Sequence, residues 1–226
     1  MMLIATTAAV ALLASTAFAA AAPASSAGLP PMIVNVTATT DMSAALVSRV
    51  LAEAGAIWRP GGVTFVWRRA ARVVVPYATA SETGPYVPNT LRVTIGGNRG
   101  GGGGDGRHPL GWIVFDDVAA PQQEIYLSHA NAMIMMEEAR GVIGIVEQMP
   151  IAQREMLLAR AMGRALAHEL GHYLLASKAH TPRGLMKATL TAVELFSNDD
   201  RGFRTEPAQR RAVAARLRGE PLVASR

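Results

Sequence analysis

From Met32 to Ala38 the chain alternates, with Ile33, Val34 and Val36 set against Asn35 and Thr37, and this pattern predicts a strand. Asp41 or Ser43 then stands where a helix N-cap belongs, and Leu46, Val47, Val50 and Leu51 recur on one face of a helix reaching about Ala54. The turn Arg59-Pro60-Gly61-Gly62 leads into a second strand, Val63 to Arg68. Leu91 to Ile95, Gly111 to Phe115 and a short Glu124 to Ser128 read as further strands. From Gln153 to Ser177 the period becomes helical, with Met156, Leu157, Ala161, Leu166 and Leu170 on the apolar side and Arg154, Arg160 and Arg164 on the polar one. A strand-rich first half followed by a mainly helical second half predicts an α+β fold.

The ends of the chain read differently from its middle. Met1 to Ala22 carries no charged side chain, and its apolar stretch from Met2 to Phe18 runs into Ala17-Phe18-Ala19, a small-x-small cleavage pattern. Residues 1–19 are therefore expected to be a secretory signal peptide. Ala20 to Pro31, rich in Ala, Ser and Pro, reads as a linker, and 32–226 as one catalytic-sized domain without stable membrane insertion after cleavage. Such a protein is secreted or periplasmic, and the preference for arginine over lysine hints at a bacterial source of high GC content. Gly96 to Gly106 holds eight glycines but lacks the Gly-Lys-Ser/Thr ending of a phosphate loop, so a mobile loop is expected. Arg201 to Arg226 holds seven arginines and two glutamates, with Ala212, Val213 and Leu217 at helical spacing, as a solvated helix face would. Phe203 is the single aromatic residue among those arginines, too little interleaving for a nucleic-acid surface.

Composition narrows the chemistry. Half of the 226 residues are apolar and 17% are charged, enough to build a core, and the formal charge of +5 is too mild to name a partner. There is no cysteine, which excludes disulfides, thiolate zinc sites, iron–sulfur clusters and a cysteine nucleophile. A metal ion must be held by His, Asp or Glu.

Those donors cluster in one place. His168-Glu169-Leu170-Gly171-His172 lies in the last turns of the long helix, and two histidines four apart sit about 40° apart around a helix and about 6 Å along it. Both imidazoles can reach one ion, zinc by preference, while Glu169, displaced by about 100°, is suited to hold a metal-bound water rather than the metal. His180 follows eight positions after His172, and a continuing helix would carry it about 12 Å away, so the chain must turn between Leu175 and Ala179. A rival third ligand is Glu194, 22 residues beyond His172, in a thermolysin-like arrangement. His108 and His129 read as ordinary histidines.

Residues His168 to Met186 resemble the metzincin superfamily of zinc metalloendopeptidases, whose signature is HExxH, a glycine turn, a third histidine and a downstream methionine turn. The usual third His stands where this chain has Lys178, and the usual glycine where it has Leu175; His180 comes two places late. The resemblance implies zinc ligation by His168, His172 and His180, a glutamate-activated, zinc-bound water at Glu169, and a hydrophobic floor at Met186. It also implies a mixed twisted sheet over the long HExxH helix, a small helical C-terminal part, and an extended peptide or protein substrate lying along an edge strand, for which Glu124 to Ser128 is the candidate. A tyrosine shortly after the methionine is absent from Lys187-Ala188-Thr189, which leaves transition-state support beyond zinc unassigned. Two other readings remain: a non-catalytic zinc or peptide-binding protein of the same fold, and a surface factor acting through its arginine-rich tail.

Overall fold

The structure, a computed structural model, describes residues 28–69, 91–96 and 109–219. The segment expected to be a signal peptide, most of the expected linker, the glycine-rich stretch beyond Gly96, and His108 lie outside the described residues. Strand β1, Met32–Ala38, buries Met32, Val34 and Val36 and leaves the alternate residues half exposed, as its period-two pattern requires. Helix α1, Ala44–Trp58, is capped by Ser43, whose hydroxyl accepts the Leu46 N–H at 3.0 Å. It runs four residues past the expected end because Ile57 and Trp58 are buried. Strand β2, Phe65–Arg69, then pairs parallel to β1, the outcome of a strand–helix–strand crossover.

Strand β3, Leu91–Ile95, flanks β1 on the other side, again parallel. Strands β4, Gly111–Asp117, and β5, Ala120–Leu127, form an antiparallel hairpin, and β5 pairs parallel to β3. Among the described residues the sheet order is β2-β1-β3-β5-β4, a mixed sheet in which β4 is the outer strand on the β5 side. This corrects the expectation that Glu124 to Ser128 forms the edge: those residues lie on the strand covered on both sides. Both hairpin strands are also longer than their hydrophobic runs, meeting at Val118 and Ala119. Pro121 is tolerated because β5 pairs with β3 only from Glu124 onward, leaving the proline on an overhang.

Helix α2, His129–Glu138, follows β5 directly, capped by Ser128, and the short α3, Arg140–Ile143, follows it. Helix α4, Ile151–Leu175, begins just after Pro150 and packs along α1 and against β4 and β5. Leu157, Leu158, Met162, Leu166, Leu170 and Leu174 of α4 share one core with Val50, Leu51 and Trp58 of α1 and with the inward residues Val34, Val93, Ile125 and Leu127 of the sheet. Trp58 Nε1–H donates to the Ala167 carbonyl at 3.0 Å, tying the end of α1 to the turn that carries His168. Two further helices complete the C-terminal part, α5 over Ala192–Phe196 and α6 over Pro207–Leu217. Among the described residues no helix is long and apolar enough to cross a membrane.

Candidate metal centre

Helix α4 carries His168, Glu169 and His172 in its last two turns, and its end decides where the chain goes next. The Ser177 N–H bonds back to the His172 carbonyl and the Ala176 N–H to the Tyr173 carbonyl, each at 3.2 Å. This is a Schellman closure in which Ala176 takes the left-handed conformation, φ 48°, a role usually given to glycine. The reversal brings His180 back toward the helix. The donor atoms of His168, His172 and His180 lie within 4.8 Å of one another, and their rings are 4.6 to 5.3 Å apart between centroids. These three side chains could hold a metal ion.

Backbone carbonyls orient the rings. His168 Nδ1 lies 2.8 Å from the Leu185 carbonyl and His172 Nδ1 2.7 Å from the Ser177 carbonyl. A carbonyl only accepts, so both Nδ1 atoms carry the proton and both Nε2 atoms of the neutral rings present lone pairs. Those two Nε2 atoms are 3.0 Å apart. Two bare lone pairs at that distance repel unless a cation sits between them, and tetrahedral zinc with ligands at about 2.0–2.1 Å separates two nitrogens by about 3.3 Å. The donor set therefore fits zinc. Burial holds the ionisation in the same state: it lowers the His168 pKa to about 4 against the opposing pull of the Leu185 carbonyl, and lowers that of His172. Both rings are neutral at physiological pH, as ligands must be.

Glu169 is 8% exposed, and burial pushes its carboxyl up to about 8. The opposing influence is the Ile113 N–H, which donates to it from edge strand β4. The carboxyl thus joins the ligand-bearing helix to the edge strand. Phe115 of the same strand meets His172 edge-on at 6.4 Å, beside register irregularities in the β4–β5 pairing.

Met186 lies beneath, 1% exposed. A Cβ placed on Gly171 would overlap the Met186 sulfur, so glycine between the two helix histidines is what lets the methionine approach. Its loop is held by the Thr181 N–H, which donates to the Met186 carbonyl at 2.8 Å, and by the Leu185 N–H, which donates to the Arg204 carbonyl at 3.2 Å. Gly184, φ +79°, sits so close to that carbonyl that a Cβ would come within 2.7 Å of it.

Glu194 is not gathered with the imidazoles. Its carboxylate accepts from Lys187 Nζ at 2.7 and 3.0 Å and from the Thr191 N–H at 2.8 Å, closing a capping box at the start of α5. Lys187 and Thr191 together hold its pKa below the usual carboxylate range. The thermolysin-like alternative is corrected accordingly: the α5 cap and the lysine occupy this carboxylate. His129 opens α2 and lies outside the imidazole group.

A second correction concerns Arg164, expected on the polar face of α4. It is 1% exposed. Its guanidinium pairs with Glu53 at 3.1 Å, donates to the Glu194 and Asp199 carbonyls, and lies 4.6 Å from the centroid of the Phe203 ring. Position 164 is one helical turn before His168, so it belongs to the stripe that the C-terminal segment folds over. The signal available in the sequence was the 164, 168, 172 spacing, which places all three on one face.

No family model matches the chain, and no curated protein matches it in sequence. Among solved structures it is similar to archaemetzincin from Methanopyrus kandleri, at 14% identity and a TM-score of 0.47 over 83% of this chain and 96% of that one.

Proposed function

We propose that this chain is a zinc-dependent metalloendopeptidase in which His168, His172 and His180 hold the metal and Glu169 is the general base. The observation that carries the reading is the convergence of three imidazole donors within 4.8 Å beside a buried carboxyl. Three protein donors leave a tetrahedral ion one open position, the catalytic pattern, whereas a structural zinc takes four protein ligands. Zinc bound there supplies Lewis acidity, lowering the pKa of water toward about 7 and polarising the scissile carbonyl. Glu169 takes a proton from the attacking water on its carboxylate and hands it to the departing amine nitrogen. Among the described residues no strand pairs with the outer side of β4, whose backbone groups suit an extended peptide, and Glu169 is already bonded to that strand at Ile113. Met186 closes the floor.

The substrate on this reading is a peptide or protein met outside the cytoplasm, because the uncharged apolar stretch before Ala19 has the form of an export signal. The test is metal content and peptide cleavage of the wild type beside three variants. One zinc per chain is expected in the wild type and in Glu194→Ala, and loss of zinc in His180→Ala. Glu169→Gln is expected to keep its zinc and to lose about 10²- to 10⁴-fold in rate. Undiminished cleavage by Glu169→Gln, or full zinc in His180→Ala, overturns the assignment.

A further inference from the structure

We propose that Lys178 selects substrates bearing a carboxylate close to the scissile bond, an inference that rests on the peptidase reading above. The backbone at this position is set by the metal site itself. Residue 177 gives its carbonyl to His172 Nδ1, and its hydroxyl accepts the Ala179 N–H at 3.1 Å, so Lys178 springs from a turn locked on both sides. Its side chain is exposed, and its ammonium lies 5.2 Å from the centroid of Phe115 on edge strand β4. Phe115 in turn meets the His172 ring. The lysine therefore reaches from the ligand-bearing loop to the strand along which an extended peptide lies.

What marks this cation is its position: it stands on the loop between two of the imidazoles, against a ring of the outer strand. Lys187, the other lysine, is by contrast neutralised by Glu194 at 2.7 Å. Among the described residues Lys178 has no carboxylate within ion-pair distance; its partner is a neutral ring face, which holds the ammonium in place without neutralising it. The two extra residues before His180 are what free position 178 from ligation and turn a metal-ligand position into a cationic one at the rim. The anion such a rim recognises is a carboxylate, either an Asp or Glu side chain or the C-terminus of the peptide.

The experiment measures binding on zinc-loaded Glu169→Gln protein, which does not turn over, by fluorescence anisotropy of three labelled peptides of otherwise equal sequence. One peptide is neutral with an amidated C-terminus, one has an internal Glu and an amidated C-terminus, and one is neutral with a free C-terminal carboxylate. We expect one carboxylate-bearing peptide to bind about fivefold tighter than the neutral one at low salt, the range of an exposed ion pair. Which peptide gains identifies the source of the carboxylate. The advantage should shrink at about 0.5 M salt, vanish with Lys178→Met, persist with Lys178→Arg and reverse with Lys178→Glu. Equal binding of all three peptides, or an advantage that survives Lys178→Met, overturns the proposal. The peptidase reading is tested separately: it fails if the wild type leaves intact, by mass spectrometry, the peptides it binds.

Discussion

His168 and His172 each give their Nδ1 proton to a carbonyl, Leu185 and Ser177, and both rings are kept neutral by burial. Binding a cation between them therefore releases no proton from either ring. Glu169 behaves oppositely: in protein stripped of metal its carboxyl, pushed up to about 8, still holds a proton at pH 7. A divalent ion beside it favours the carboxylate and expels that proton. Calorimetric zinc titrations in buffers of different protonation enthalpy should accordingly report about one proton more released per ion at pH 7 in the wild type than in Glu169→Gln, any release from metal-bound water being common to both. Equal release from both proteins would show that the proton leaves from elsewhere. The paired histidines and the glutamate between them were legible as a site from helical spacing alone, because four residues return a side chain to nearly the same azimuth.

At the scale of elements the decisive piece is the end of α4. An alanine in the left-handed region pays a steric penalty that glycine does not, and Ala176 holds φ 48° because the Schellman bonds and the His172–Ser177 contact require it. Ala176→Gly should raise stability by about 0.5–1 kcal/mol in denaturant titration without altering zinc content, glycine's greater freedom in the unfolded chain offsetting part of the gain. A loss of stability would mean that the alanine methyl packs against something that glycine cannot replace. That an alanine would turn the chain was not legible, since the usual mark of such a turn is a glycine and Leu175 stands where the resemblance expects one. The edge was equally hidden: β4 and β5 have similar hydrophobic runs, and nothing in either says which has a neighbour on both sides.

Across the whole molecule Arg164 ties the sheet-covering pair α1 and α4 to the C-terminal segment. Replacing it by Met leaves Glu53 without its partner and the Glu194 and Asp199 carbonyls without this donor, and should lower unfolding free energy by about 1–3 kcal/mol. A shift within experimental error would mean that the 192–203 segment stays docked on its apolar contacts alone. Metal-free protein should also respond to pH in a direction fixed by two opposite shifts. Glu169, raised from its ordinary value to about 8, binds more protons folded than unfolded between about 4.5 and 8, so stability falls as pH rises through that window. His168, lowered to about 4, and His172 act oppositely below about 6.5, leaving Glu169 to govern the range above. Between pH 6.5 and 8 the stripped protein should lose up to about 2 kcal/mol, measured from denaturant midpoints, and Glu169→Gln should flatten that slope. By itself the sequence determined the five strands, the helices α1 and α4 and the pair of imidazoles on the latter, because periodicity and i,i+4 spacing are local properties of the backbone; α2, α3 and α5 carried no such period. Strand order, the return of His180, the capture of Glu194 by Lys187 and the burial of Arg164 were decided only by the tertiary structure, because each depends on which distant segment comes to lie against which face.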